Sequence, residues 1–371
     1  MKLMVIGVGD CGCRLAREFA ELNKMARAEW HANIITCAYA VNNEPAVLNE
    51  LTKSGWDWLK AVPIRGSLGL DNKTTEAGAK LMRQESERVM LAMRLGAFIN
   101  TDAFLFVAGA AGSLGSGGVP VMIQILKERH IDKPVYAMLV LPFDSELDDA
   151  RRIHNTAMCL KTIDKVADAV ILADNGGLGL LGNIAQPQKM GGLNRELVLP
   201  FYDLLCAGEI TGSNRVAGKV LDAGDIVQSL FGWTAIGVGK TQLSSSIFSL
   251  RRNSGFEEKS SETFRAMEAM DLALMRLSVD CKLEDAGKGL FLLSAPQGKA
   301  NVDMIKALGN RLRELAPNAE IRDGNFYGSR NFIKVTVLAS ELIYLDRIKS
   351  YYDRAARLAP AAEAGKKTDL A

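Results

Sequence analysis

Between Phe104 and Glu128 the chain reads FLFVAGAAGSLGSGGVPVMIQILKE: an apolar run, then Gly109, Gly112, Gly115, Gly117 and Gly118, then a second apolar run. A buried strand hands over here to a helix whose N-terminus stays open. The first N–H groups of a helix lack intrahelical partners, the helix dipole adds positive charge there, and glycines admit an anion without a Cβ in the way. The stretch is therefore a candidate phosphate cradle. A plain turn needs one glycine at φ > 0, and five exceed that need. No Lys follows the loop, which excludes the Walker A pattern G-x-x-x-x-G-K-[ST].

Other polar clusters could share that chemistry. Gly7-Val8-Gly9-Asp10-Cys11-Gly12 fits G-x-G-x-x-G, which suits a dinucleotide site or any tight strand-to-helix turn. An NAD-dependent oxidoreductase built on it would also need a catalytic base, and His31, His130 and His154 sit in ordinary helix or strand-edge contexts. Asn42 and Glu44 could meet a ribose, a phosphate or a metal, or could cap a helix ahead of Pro45. Asp222 and Asp225 would project from one face at helical spacing, although a solvated capping pair is the plainer reading.

The elements that must position these residues alternate. Apolar runs at residues 3–9, 34–41, 102–107, 134–141 and 167–173 read as parallel strands, with helices near Arg14–Met25, Lys73–Leu95 and after the glycine loop. That alternation gives an α/β fold, a doubly wound parallel sheet, with ligands at the carboxyl ends of its strands. Trp56 and Trp58 alternate as packing residues on an edge element. After a glycine-rich connection at 176–192 comes a helix near Leu193–Cys206, kinked or delayed by Pro200. From Gly232 onward, strands at 233–239, 289–294, 319–322 and 332–339 with two helices form a smaller α+β unit, a four-stranded mixed sheet. A helix near Leu342–Leu358 and a disordered Ala-rich tail close the chain.

At 371 residues, 48% hydrophobic and 24% charged, the chain suits two globular domains. A net charge of +2 implies no nucleic-acid partner and no basic membrane patch. Six cysteines without metal or disulfide spacing read as reduced cytosolic thiols. The N-terminal MKLMVIGVGD enters a strand directly, without a signal peptide, and no apolar run reaches membrane-spanning length. The expectation is a cytoplasmic protein.

Taken in order, these loops resemble the tubulin/FtsZ superfamily over about residues 1–345, and its archaeal CetZ-type group most. GVGDCG at 7–12 is similar to the first nucleotide loop, AVNNEP at 40–45 to the AVNTD segment, and GSLGLDN at 66–72 to the third phosphate loop. AGAAGSLGSGG at 108–118 stands where the family has GGGTGSG. LPFDSE at 141–146 resembles the sugar-contacting loop, KVLDAGDI at 219–226 the acidic synergy loop, and VTVLAS at 335–340 the last strand.

The resemblance implies a GTP/GDP site with Mg²⁺. Its contacts would come from Gly9, Asp10, Cys11, Gly12, Asn42, Glu44, Gly66, Gly69, Gly109, Ala110, Ala111, Gly112, Ser113, Leu114, Gly115 and Ser116. Glu146 would lie at the ribose, with Asn175 and Asn194 at the guanine edge. It also implies a head-to-tail filament of identical copies. Asp222 and Asp225, carried to the far end of the domain by the central helix, would complete the active site of the next copy. The corresponding domains are 1–192, binding GTP; 193–231, the central helix and acidic loop; 232–345, α+β; and 346–371, a helical end and tail. Ala111, Ser113 and Leu114 depart from the family's loop, and losing a threonine hydroxyl there implies slow, assembly-dependent hydrolysis. A non-hydrolysing scaffold is the alternative, and any membrane tether would be a separate protein.

Overall fold

A computed structural model describes residues 1–53, 58–66, 73–129, 132–175, 187–209, 221–243, 255–296, 299–327 and 331–368. Among these residues ten strands form one sheet. In chain order they are β1 (Leu3–Val8), β2 (Ile35–Asn42), β3 (Leu59–Pro63), β4 (Ala103–Gly109), β5 (Val135–Leu141) and β6 (Ala169–Asp174), then β7 (Gly232–Gln242), β8 (Lys288–Ala295), β9 (Glu320–Tyr327) and β10 (Phe332–Leu342). Their spatial order is β3-β2-β1-β4-β5-β6-β7-β10-β8-β9. The first seven strands are parallel neighbours. β10 runs antiparallel to both β7 and β8, while β9 lies parallel to β8.

Alternation along the strands supplies both faces of this sheet. Leu3 and Val5 of β1, with Leu105 and Val107 of β4, point into one apolar layer, while Met4, Ile6, Phe104 and Phe106 point into the other. The first layer is closed by α1 (Gly9–Trp30) and by a long helix from Pro187 to Glu209. α2 (Pro45–Thr52) is a short helix after β2. The second layer is closed by α3 (Thr75–Leu95), α4 (Ser113–Arg129), α5 (Ala150–Ile163) and the C-terminal helix. Taking the remaining helices in order, α6 is Pro187–Glu209, α7 Ala223–Ser229, α8 Gly255–Met275, α9 Val302–Leu315 and α10 Asp346–Thr368. α8 and α9 close a third apolar cluster against β7, β8 and β10.

Several expectations need correction. The four-stranded mixed sheet is present as expected, β7-β10-β8-β9, but it continues the larger sheet, because Ala169 to Ile171 of β6 pair in parallel with Gly232 to Thr234 of β7. The edge element expected around Trp58 is present as β3 but begins one residue after it, and Trp58 is exposed rather than packed, with the Arg27 guanidinium 4.6 Å above its ring. Trp56 lies outside the described residues. α6 begins at Pro187, a residue suited to a first turn, and continues past Pro200 without a break. An interior proline costs about 3 kcal/mol, but burial of Leu197, Val198, Phe201, Leu204 and Leu205 at about 1.5–3 kcal/mol each outweighs it. The Ala-rich tail is helical to Thr368, as the helix propensity of Ala allows.

Candidate functional site

The order β3-β2-β1-β4-β5-β6 reverses direction between β1 and β4, and a cleft of about 790 Å³ opens at the carboxyl ends of those strands. The turn out of β1 supplies Gly9, Asp10 and Cys11, with Gly9 in the left-handed region at φ 72°. The turn out of β4 supplies Gly109 and Ala111 to Gly115. A Cβ on Gly115 would stand 2.7 Å from the Gly109 carbonyl oxygen, so only glycine lets the N-terminus of α4 lie against the end of β4. The first N–H groups of α4 therefore border the cleft, where an anion would meet them.

A buried asparagine holds this loop in place. Asn155 on α5 is 1% exposed; its Oδ1 accepts from the Thr75 N–H at 2.9 Å and from the Thr75 hydroxyl at 3.1 Å. Its Nδ2 donates to the carbonyls of Lys73 and Ala111, both at 3.0 Å. The Thr75 and Ser116 hydroxyls are 2.8 Å apart, so the starts of α3 and α4 and one face of α5 meet in a single polar knot beneath the cleft.

The rim is charged. Asn42, 1% exposed, donates to Asp10 at 2.7 Å and accepts from the Glu44 N–H at 3.1 Å. Glu44 stands at the N-cap of α2, yet its side chain accepts no capping hydrogen bond and faces the cleft, against the capping alternative. Glu146 accepts from the Phe143 N–H at 3.0 Å and pairs with Arg152. Burial, reinforced by Glu146 and Asp10, pushes the Cys11 thiol up to about 12, so it offers no thiolate at neutral pH. At the far side Asn175 is 8% exposed, and its Oδ1 has no hydrogen-bond partner among the described residues.

The acidic pair lies elsewhere. Asp222 caps α7, accepting from the Asp225 N–H at 2.7 Å. The solvated-pair reading holds only for Asp222, which is exposed. Asp225 is buried, and Arg322 of β9 donates to it at 3.1 Å across 97 residues of sequence. This loop packs where Met1 enters β1: a Cβ on Gly208 would be 3.5 Å from the Met1 nitrogen and 3.6 Å from the Asp222 carbonyl carbon. The cleft is at the other end of β1, about 20 Å away at about 3.3 Å per residue.

Comparison with known proteins identifies this arrangement. The family model for the tubulin/FtsZ GTPase domain matches residues 2–181, and that for the C-terminal domain of tubulin-like CetZ matches residues 188–357. The chain belongs to the tubulin/FtsZ family. The protein CetZ3 of Haloferax volcanii is 28% identical over 361 residues, spanning 94% of this chain and 90% of that protein. CetZ1 of the same organism is 29% identical over 346 residues, spanning 88% and 84%. Among solved structures, the GTPγS-bound protofilament of Haloferax volcanii CetZ2 superimposes with a TM-score of 0.80 at 23% identity, covering 98% of this chain and 100% of the other. An empty FtsZ dimer of M. jannaschii gives 0.65 at 19%, covering 91% and 87%. At such identities the structures show a shared fold.

Of the residues singled out in the sequence, Gly9, Asp10, Cys11, Asn42, Glu44, Gly109, Ala111 to Gly115, Glu146 and Asn175 line the cleft. Gly12, Ala110 and Ser116 do not; they sit in the layer beneath it, Gly12 so close to β4 that a Cβ would meet the Val107 carbonyl oxygen at 2.1 Å. Gly66, at φ 115°, and the half-buried Asn194 also lie outside the lining. Gly69 falls outside the described residues. Leu114 lines the cleft yet is 4% exposed, with its side chain packed in the second apolar layer. Lys73, Asn43, Asp149, Arg151, Arg152 and Asn155 line the cleft without having been singled out as ligands. Arg151, Arg152 and Asn155 lie on α5 and the other three in loops or at a helix cap, and none carried a local signal beyond polarity.

Proposed function

We propose that the chain binds guanine nucleotide in this cleft, assembles head to tail with copies of itself, and hydrolyses GTP slowly where one copy's cleft meets the next copy's Asp222. The observation that carries the reading is the separation of the two halves: the cleft at the carboxyl ends of the parallel strands, the exposed carboxylate at their amino ends. Neither half can serve the other within one copy. A repeating head-to-tail contact would bring them together and extend without closing. Family membership and the GTPγS-bound protofilament of the CetZ2 relative support the same reading.

The residues fit the nucleotide. The unpartnered, buried Asn175 Oδ1 is an acceptor suited to the N–H edge of guanine, and Glu146 lies where a ribose hydroxyl would follow. The glycine cradle and the open start of α4 suit the phosphates. Among the described residues no three carboxylate, His or Cys side chains converge as a metal cage, so Mg²⁺ would be held through the phosphates with one or two protein ligands. When bound it neutralises phosphate charge.

Asp222 would orient the attacking water, while Asp225, tied to Arg322 and to the α7 cap, would hold Asp222 in position. Residues 1–192 would bind nucleotide, 193–231 carry the acid to the far end, and 232–345 brace it through β9. No helix among the described residues is long and apolar enough to cross a membrane. One observation favours a non-hydrolysing scaffold: Leu114 turns an apolar, buried side chain where the family's loop has a hydroxyl.

GTP added to purified protein is expected to raise light scattering and move protein into a high-speed pellet, with phosphate released over hours. Nucleotide released on denaturation and separated by chromatography should be GDP or GTP. Protein that binds no guanine nucleotide and never pellets would overturn the proposal. Pelleting without phosphate release would select the scaffold.

A further inference from the structure

We infer that Lys73 reads the terminal phosphate in this cleft and sets its preference for nucleoside triphosphate over diphosphate; this rests on the guanine-nucleotide reading above. The placement is fixed by the backbone. The Lys73 carbonyl and the Ala111 carbonyl accept from the same Asn155 Nδ2, each at 3.0 Å, so Lys73 sits beside the glycine loop. The next two residues are anchored as well: the Thr74 hydroxyl accepts from the Ala77 N–H at 3.2 Å to cap α3, and Thr75 bonds Asn155 and Ser116. The backbone is held from the Lys73 carbonyl onward while the lysine side chain remains exposed at the cleft.

The fold itself gains little from a cation at that position. Lys73 precedes the N-cap of a helix of 21 residues, the end where the helix dipole disfavours positive charge. Among the described residues no carboxylate pairs with its ammonium, whereas the other two cations lining the cleft are engaged: Arg151 with Asp149 at 3.8 Å, and Arg152 with Glu146 and with Asp149 at 3.7 Å. The cleft also carries the carboxylates of Asp10, Glu44, Glu146 and Asp149, which oppose an incoming phosphate tail. The glycine loop brings no lysine of its own and puts Leu114 at its centre.

What remains for a phosphate is the start of α4, the nearby start of α3 and the Lys73 ammonium, all on one side of the cleft. The unpartnered Asn175 Oδ1, 8% exposed, marks the other end of the same cleft as a ligand contact. A nucleotide with its base at Asn175 runs its phosphates toward Lys73. The group at the end of that run is the one a diphosphate lacks. A lysine ammonium is a compact charge on a flexible stem, suited to such a group.

The test is calorimetric titration of the full chain with GTPγS and with GDP, in Mg²⁺, for the wild type, Lys73→Met and Lys73→Arg. Loss of one charge-assisted contact is expected to weaken GTPγS about tenfold to a hundredfold in Lys73→Met while changing GDP less than about twofold. Lys73→Arg should recover most of the difference. Because the side chain is exposed and has no ion-pair partner among the described residues, the melting temperature of the nucleotide-free variants should match the wild type. An equal loss for both nucleotides, or no loss for GTPγS, would overturn the inference while leaving guanine-nucleotide binding intact. Wild type that binds neither nucleotide would instead sink the reading on which it rests.

Discussion

Two variants that are each inactive, Asp222→Asn and Gly112→Asp, should hydrolyse GTP when mixed. Asp222→Asn keeps a side chain that caps α7 as well as aspartate does, so folding is little affected, but it removes the carboxylate offered to the next copy. Loss of an orienting or base group lowers turnover by about a hundredfold to ten-thousandfold. Gly112→Asp acts at the other end. An added Cβ at Gly112 meets nothing within 4 Å, so the chain tolerates it, and the new carboxylate stands in the cleft against the phosphates. In an equal mixture, about a quarter of head-to-tail contacts join an intact cleft to an intact Asp222, and phosphate release should recover to about that fraction of wild type. If the mixture gave only the sum of its two inactive parts, the two halves would not meet between copies. Activity persisting in Asp222→Asn alone would remove the carboxylate from the chemistry.

That experiment turns on a feature only half visible in the sequence. Strand-helix alternation and the glycine loops were legible because apolar period and backbone freedom are local properties, and they placed Gly9 and Gly109 at strand ends and Gly115 at the start of the following helix. The resemblance to a family added the order of the loops. Nothing local distinguished Asp222 from Asp225, since both are acids in one short segment. What separates them is Arg322, which reaches Asp225 from a strand 97 residues away and leaves Asp222 exposed. The start of α6 was hidden for a related reason: Pro200 is a local stop signal, and burial against α1 overrides it. Asn155 carries no local signal beyond being a polar residue on a helix. Its four partners come from two other parts of the chain, so periodicity could not reveal them.

Asn155→Leu is expected to lower stability by about 2–4 kcal/mol and to abolish tight nucleotide binding at once. The amide gives two acceptor contacts to Thr75 and two donor contacts, to Lys73 and Ala111, in a site 1% exposed. A leucine of similar size fills the space but leaves the buried Thr75 N–H without a partner, and each such orphan costs about 1–3 kcal/mol. Two carbonyls lose their donor as well, although Ala111 lies at the cleft and can turn to water. For a chain of this length the loss should appear as a fall of roughly 5–10 °C in the melting temperature. Asn155→Asp should be no milder, because a carboxylate would keep the contacts to Thr75 while facing two carbonyl oxygens with no proton to give. Thr75→Val isolates one strand of the knot: it removes the hydroxyl shared with Ser116 and Asn155 and keeps the N–H contact, so it should cost only about 1 kcal/mol. Binding separates position from mere stability. If the knot sets the loop's shape, Asn155→Leu assayed well below its melting temperature will still bind nucleotide far more weakly than Thr75→Val. Equal affinities in those two folded variants would mean that the glycine loop takes its binding shape without Asn155.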